Sequence, residues 1–369
     1  MVQRDENESG RSSPGRTHPC VLLGPTFADN PYTQQLIDAL RDLGHVVEPL
    51  DDPGALAEQS EWLAADDVFH LQWAHVFTAG RHLPASVRGT RRLLTQLDAM
   101  RKRGVRLVWT VHNLVHHEAT GGGLSLAHQG WAMRQIAKRC HALVVHGEHG
   151  AAVACNRYGV PASLITVVDH PSFIGSYPIE VSQERARADL DVAPDATVFA
   201  HVGLLRRYKG VQALLEAYEI IANEGTVLVV AGRSSDGETA DMLRAAAEAG
   251  CIRFHEGFVP DDRLQVYFRA ADAVVLPYAR VFTSGSAALA GTFGRAVIAP
   301  AVGCLPDQIS DAGMLYDPDD PEGLVAAMKA ARDDRRALRD MGARAEALAE
   351  QRTWAVLARG VATAYTSPV

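Results

Sequence analysis

Two short loops in the second half of the chain carry residue types that bind anions. The first, Gly203-Leu204-Leu205-Arg206-Arg207-Tyr208-Lys209-Gly210, follows a β-branched run at 197–202 and precedes an amphipathic helical stretch. Gly203 permits a sharp turn, the Arg206 guanidinium can grip a diphosphate bidentately, and the Lys209 ammonium adds a point charge. Cations at a helix start oppose the helix dipole, so the pattern favours an anion site over an ordinary solvated helix start. The second loop runs from Pro277 through Tyr278 and Val281 to Ser284-Gly285-Ser286 and opens a small-residue helix. Successive free N–H groups of Ser284, Gly285 and Ser286 at a helix N-terminus would admit a phosphate. An ordinary serine N-cap is the plain alternative, but paired with Arg206 and Lys209 the loop makes a coherent diphosphate cradle.

The first half offers a different chemistry. A strand-like run at 105–111 ends in His112-Asn113-Leu114-Val115-His116-His117-Glu118, followed by Gly121-Gly122-Gly123. Histidines, an asparagine and a glutamate at one strand end suggest a polar reaction centre, with His112 and Glu118 as candidate acid–base groups. His112 and His116 are spaced i,i+4, as zinc ligands on a helix would be. This segment reads as a loop with no obvious third ligand, so no metal is expected. His70, His75 and His82 surround Gln72-Trp73 after another strand, where substrate contact and helix capping are equally open. Asn30 and Tyr32 open the first helix, and His146 and His170 end two further strands. The pairs Asp51-Asp52, Asp261-Asp262, Asp319-Asp320 and Asp333-Asp334 lie at helix starts or in loops, where aspartate caps and solvates.

The elements that must position these residues alternate along the chain, short apolar strands with amphipathic helices, which is the pattern of parallel α/β sheets. Strands are expected at 20–23, 46–50, 68–71, 105–111, 142–146 and 164–168, then at 197–202, 226–231, 252–255, 273–276, 296–299 and 314–316. Helices are expected at 32–43, 90–103, 125–139 and 150–158, then from residues 211, 237, 261, 286 and 322, and finally at 334–350 and 354–365. The turn-rich segment 171–178 separates the two series. The expected organisation is a polar disordered tail at 1–17, one α/β domain at 18–175, a second at 176–351, and a terminal helical segment at 352–369. Ligands of open α/β sheets sit outside the carboxyl ends of the strands, so the cleft between two such domains is the expected site.

Composition narrows the function classes. The 369 residues carry 36 basic and 44 acidic groups, a net charge of −8, which argues against a nucleic-acid binder. Five scattered cysteines without CxxC spacing imply no disulfide framework, and no signal-peptide core or membrane span is visible, so a cytoplasmic location is expected, with peripheral membrane contact left open. Two imbalances stand out. Only four lysines accompany 32 arginines, and 13 of the 15 histidines lie at or before His170.

The Gly-Leu-Leu-Arg-Arg-Tyr-Lys-Gly segment, the small-residue loop ahead of Gly294-Arg295-Ala296-Val297 and the last helix with Trp354 resemble the GT-B glycosyltransferases, in particular family-four-like enzymes. The resemblance runs from residue 19 onward and is more specific in the second half. It implies two Rossmann-like domains facing each other across a cleft, a nucleotide-sugar donor held by the second, a hydroxyl acceptor held by the first, and a last helix returning to the first. Carried over by position, Arg206, Lys209 and Ser284-Gly285-Ser286 would hold the donor diphosphate. Gly203 and Gly257-Phe258-Val259 would contact the nucleotide. His112 would lie near the donor sugar, while Asn30, Tyr32, Trp73, Asn113 and His170 would contact acceptor or sugar. One departure is plain: the family's usual Glu-x7-Glu falls on Val281 and Leu289, the mark of a variant subgroup, and the stereochemical outcome is left open.

The expected activity is metal-independent sugar transfer from a nucleoside-diphosphate sugar to a saccharide, lipid-linked saccharide or natural-product hydroxyl. No cofactor is needed beyond the donor, and the protein is expected to be a monomer or homodimer. Two other readings share the architecture: a nucleotide-sugar epimerase, which needs no acceptor, and a non-catalytic sugar-nucleotide-binding protein that has lost its carboxylates.

Overall fold

The computed structural model describes residues 19–366 apart from 28–29, 81, 115–121 and 235. By backbone contacts the chain divides into two compact units, one formed by residues 1–144, 154–166 and 358–369, the other by 145–153 and 167–357. The turn-rich segment 171–178 lies within the second. In chain order, the first half supplies β1 (Cys20–Gly24), α1 (Pro31–Asp42), β2 (Val46–Pro49), α2 (Leu56–Gln59), β3 (Val68–Leu71), α3 (His75–Thr78), α4 (Leu83–Lys102), β4 (Arg106–Thr110), α5 (Gly122–Ala137), β5 (Ala142–Val145), α6 (Glu148–Tyr158) and β6 (Ile165–Val167). Their six-stranded sheet has the order β2-β1-β3-β4-β5-β6, and its registered pairs are parallel. Strands β1, β3 and β5 are buried along their whole length, as parallel strands covered on both faces must be.

The expected strands all form. Helix α4 begins seven residues earlier than its apolar period suggests, because the His82 side chain accepts the Ala85 N–H (3.2 Å) and Pro84 occupies the first turn. The question left open for His82 is thereby answered in favour of helix capping.

The second half supplies α7 (Gln183–Asp189), β7 (Thr197–Val202), α8 (Val211–Ile221), β8 (Thr226–Gly232), α9 (Gly237–Glu248), β9 (Arg253–Glu256), α10 (Asp261–Ala270), β10 (Ala273–Val275), α11 (Gly285–Thr292), β11 (Ala296–Pro300), α12 (Leu305–Ile309), β12 (Gly313–Tyr316), α13 (Gly323–Asp333), α14 (Arg335–Gln351) and α15 (Trp354–Thr366). Helices α7 and α12, absent from the expected series, have only seven and five residues, too few to show a helical period. The sheet order is β12-β11-β10-β7-β8-β9, again with parallel pairs. Alternation along each strand separates two cores. Val198, Ala200, Val202, Val229 and Val297 pack with residues of α7, α10 and α11. Phe199, Leu228, Val230, Val275 and Ile298 pack with residues of α8, α9 and α13.

A buried ion pair ties α7 to this sheet. Arg187 donates to Asp272 Oδ2 (2.8 Å) and to the Ala270 and Ala196 carbonyls (both 3.1 Å), while Asp272 Oδ2 also accepts the Val198 N–H (2.8 Å). Removing one member leaves the other charge buried, at a cost of about 3–5 kcal/mol. Arg187→Ala is therefore expected to lower the urea unfolding free energy of the second unit by about that much; a loss below about 1 kcal/mol would show that Arg335, 3.5 Å from Asp272 Oδ1, suffices alone.

Candidate functional site

In the second sheet β7 lies between β10 and β8, so the connection from β9 to β10 must cross over β8 and β7. Strand order reverses between β7 and β10, and this is where open α/β sheets leave room for a ligand at the strands' carboxyl ends. Gly203 follows β7 at φ 122°, and its N–H donates to the Ala231 carbonyl (2.9 Å). The chain then passes Arg206, makes a single tight turn over Arg207–Lys209, and reaches Gly210 at φ 72°. A side chain at Gly210 would overlap the Pro277 carbonyl, so the loops after β7 and β10 touch there through bare backbone. A hydrogen bond from Ala279 N–H to the Tyr208 carbonyl (2.9 Å) fastens them further along.

This backbone arrangement sets Lys209 Nζ 6.0 Å from the centroid of the Tyr278 ring. Burial, with Arg206 as a like charge nearby, lowers the Lys209 pKa to about 8. The Tyr278 hydroxyl, its own pKa raised by burial, lies 3.0 Å from Ser284 Oγ, which accepts the Ala287 N–H (3.1 Å) as the N-cap of α11. Lys209 and Ser284 thus meet one buried tyrosine, with Arg206 near the lysine. One expectation needs correcting: the Ser284 N–H is not free, because it donates to Gln308 Oε1 (3.0 Å). The amides left to meet an anion are those of Gly285 and Ser286, in the first turn of α11, where backbone N–H groups have no intrahelical partner.

Neither Tyr278 nor Gln308 stood out in the sequence. Tyr278 sits in a loop that did, but only the fold reveals its contact with Lys209, and Gln308 lies on a helix too short to recognise. Val281 and Leu289, at the positions of the family's carboxylates, pack against the apolar core beside α11. Past β9, Gly257 adopts φ 124° and donates to the Gly232 carbonyl (3.0 Å). Phe258 is three-quarters exposed (74%), whereas Val259 packs against the core, so of these two side chains only Phe258 is presented for stacking on a flat ring. His170 belongs to this unit too. It is buried, lines one cavity with Ala287, Ala288 and Gly291 of α11, and its pKa is lowered to about 3 by burial and by His146.

The first unit brings together Tyr32, Trp73, His112 and Asn113. The reversal of strand order here falls between β1 and β3, and the side chains converge just past the carboxyl ends of β1, β3 and β4. His112 stacks on Trp73 (centroids 4.5 Å apart, planes 14° apart) and meets the edge of Tyr32 (4.8 Å), while the Phe27 ring leans on Trp73 at 5.2 Å. Trp73, His112 and Asn113 line a small pocket with Gln72, His75, Trp109 and Met133. Gln72, not singled out from sequence, shares a 2.8 Å hydrogen bond between its Oε1 and His112 Nε2. Asn30 serves the backbone instead, since its Oδ1 accepts the Tyr32 N–H (3.0 Å) and caps α1. Glu118, His116 and His117 lie outside the described residues.

Among the described residues no cluster of three or more histidine, cysteine, aspartate or glutamate side chains is arranged to hold a metal ion, and no helix is long and apolar enough to cross a membrane. Of the aspartate pairs, Asp52 caps a tight turn by accepting the Gly54 N–H (2.7 Å) and Asp334 caps α14 by accepting the Ala337 N–H (2.9 Å).

Residues 196–334 match the family model described as "Glycosyl transferases group 1". A D-inositol 3-phosphate glycosyltransferase of Corynebacterium kroppenstedtii is 31% identical over 253 residues, covering 64% of this chain and 55% of that protein. A GDP-mannose:glycolipid 4-beta-D-mannosyltransferase of Xanthomonas campestris pv. campestris is 24% identical, covering 75% of this chain and 71% of that protein. The chain spans 55%, 58% and 59% of the length of the first three curated relatives. Among solved structures, a sucrose-phosphate synthase from Thermosynechococcus elongatus superposes with a TM-score of 0.71 at 18% identity, covering 94% of this chain and 98% of that one. Anabaena HepE in complex with UDP follows at 0.68 and 16%, covering 93% and 98%. The chain therefore has the fold of the GT-B glycosyltransferases, and its residues 196–334 are similar to the glycosyl transferases group 1.

Proposed function

We propose that the protein is a glycosyltransferase that moves a sugar from a nucleoside-diphosphate sugar to a hydroxyl acceptor, without a metal ion and without a cofactor beyond the donor. The observation that carries this reading is the pair Arg206 and Lys209, half-buried cations at the strand-order reversal of the second sheet, beside the first turn of α11. A diphosphate is the ligand such a group fits: it offers two phosphates, one for charged side chains and one for backbone N–H groups. The activities that the relatives' names state, transfer to inositol phosphate and from GDP-mannose, agree with this class of donor.

In the proposed reaction the bond between the anomeric carbon and the diphosphate oxygen breaks, and the departing diphosphate gains negative charge. Fixed cations in a desolvated site stabilise that charge without reorganising, which is the largest contribution such a site can make. The acceptor oxygen bonds to the anomeric carbon, and its proton goes to a base. His112 is the candidate within the described residues if the configuration inverts; the departing phosphate takes the proton if it is retained. Phe258 and Gly257 would meet the nucleobase, and Tyr32, Trp73 and Asn113 the acceptor or sugar.

Three outcomes test this reading. Lys209→Ala should lower kcat/KM for transfer by about 10²–10³-fold with unchanged circular dichroism; full activity would remove Lys209 from the mechanism. Because the Lys209 pKa is about 8, the ammonium is present below that pH and lost above it. Nucleoside-diphosphate affinity, followed by calorimetry, should accordingly weaken about tenfold between pH 7 and pH 9 in the wild type and much less in Lys209→Ala. EDTA should leave the rate unchanged; a loss restored by Mg²⁺ would overturn the metal-independent part. Donor conversion without any acceptor would instead mark an epimerase.

A further inference from the structure

Charge is spread unevenly along the first unit. Residues 79–141 carry 11 basic and 2 acidic side chains in a chain whose net charge is −8. Most of these basic residues lie on α4 and α5 or in the turns directly after them. Strands β3, β4, β5 and β6 lie side by side in chain order, so right-handed crossovers put α4, α5 and α6 on one face of the sheet. Hydrogen bonds join the three helices. Thr90 Oγ1 lies 3.1 Å from His128 Nε2, Arg101 donates to the Arg139 carbonyl (2.7 Å), and Arg134 donates from Nε to the Arg157 carbonyl (2.9 Å). Asp98, the one acidic residue of α4 and α5, accepts from Arg139 Nε (2.8 Å) and Nη2 (3.1 Å) and so offers no free countercharge.

The outer side of α5 mixes two kinds of side chain. At 3.6 residues per turn Leu124, Ala127, Trp131, Arg134 and Lys138 share one side of the helix and the residue after it. All five are exposed, while Ala132, Met133, Ile136 and Ala137 opposite them are buried. Leu124 is 77% exposed and Trp131, two turns on, is 47% exposed. On α4 beside it, Arg88, Arg91 and Lys102 are exposed on the outward side, and among the described residues neither these three nor Lys138 pairs with a carboxylate. A leucine and an indole in water beside unpaired cations make a surface with both an apolar and an anionic partner to find.

We propose that this face of the first unit docks on an anionic lipid bilayer, Leu124 and Trp131 entering the boundary between headgroups and acyl chains while Arg88, Arg91, Lys102 and Lys138 meet the lipid phosphates. A bilayer is the partner that uses both halves of the pattern. A nucleic acid or an acidic peptide would be held by the cations and leave the leucine without a role, whereas a lipid surface takes apolar side chains and cations together, with tryptophan favoured at the interface. The rest of the chain, with 25 basic and 42 acidic residues, is repelled by the same surface, so the charge asymmetry also sets which side of the first unit faces the lipid. The docking does not depend on sugar transfer.

Co-sedimentation of the full chain with phosphatidylcholine vesicles, with and without phosphatidylserine, tests this. Binding to the phosphatidylserine vesicles should be about tenfold or more tighter than to the neutral ones, and should weaken about tenfold on raising NaCl from about 0.1 M to about 0.5 M. Arg91→Glu with Lys138→Glu should weaken it about tenfold or more. Arg336→Glu with Arg339→Glu, at exposed positions of α14 in the second unit, changes the net charge equally and should cost at most about twofold. Leu124→Ser with Trp131→Ser alters side chains already in water, so circular dichroism should match the wild type while binding falls about tenfold. Equal binding to the two vesicle types would overturn the proposal, as would a loss in the α14 pair as large as in the α4 and α5 pair, or binding that survives removal of Leu124 and Trp131. Tight retention of a double-stranded oligonucleotide that needs Arg91 and Lys138 but not Trp131 would overturn it in favour of a nucleic-acid face. Sugar transfer is a separate readout, and its absence would sink the proposed function while leaving the vesicle result standing.

Discussion

Lys209 is a half-buried ammonium next to another cation, and the structure of the second unit around it follows from that constraint. A pKa of about 8 means that burial and Arg206 already oppose the charge, so the surrounding chain must hold the side chain in place without neutralising it. Backbone geometry does this. Gly210 lets the loop after β7 lie directly on the carbonyl of Pro277 after β10, where any side chain would collide. The Tyr278 ring gives the ammonium a polarisable neighbour. The same tyrosine reaches the Ser284 cap, so the residue contacting the cation also fixes the start of the helix whose first-turn amides would share the anion.

The first unit gathers its polar groups at the corresponding place in its own sheet, but by a different principle. Burial lowers His70 to a pKa of about 3, and His112 is enclosed by Trp73, Tyr32 and Gln72. Among these histidines, His70 therefore supplies a neutral ring that can donate from one nitrogen and accept at the other, and His112 a flat ring that stacks on Trp73. His146 and His170, which the contacts assign to the second unit, behave alike, with pKa values lowered to about 4 and about 3. The lysine scarcity and the histidine surplus divide the chemistry: charge where a diphosphate would sit, ordered hydrogen bonding where a hydroxyl would be handled.

The strands were legible in the sequence because they are short apolar runs bounded by turn formers; the inner ones are buried on both faces, while the edge strands β2, β6, β9 and β12 are partly exposed. Helix starts were less so. The start of α4 depends on His82 capping and Pro84 in the first turn, features that do not enter an apolar period, and α7 and α12 are shorter than the period needed to detect them. The same limit hid part of the site. Arg206 and Lys209 could be singled out because cations at a helix start are unusual, whereas Gln308 acts on Ser284 from 24 residues away in sequence. Asn30 shows the converse: it carries a side chain suited to binding a ligand, and its Oδ1 is occupied in capping α1.

Val281 and Leu289 bear on how such a donor site works without the family's usual carboxylates. Both pack into the apolar cluster that includes Ala287, Ala290 and Phe293, so they help to seat α11 against the sheet. A carboxylate in either place would have to be desolvated or would loosen that packing. With valine and leucine instead, neither position supplies a countercharge. The proposed donor would supply it, and its sugar hydroxyls would be met by groups other than these two. In the proposed reading, valine and leucine here would shift the balance from carboxylate hydrogen bonding toward recognition of the diphosphate, the part of a nucleotide sugar common to all such donors.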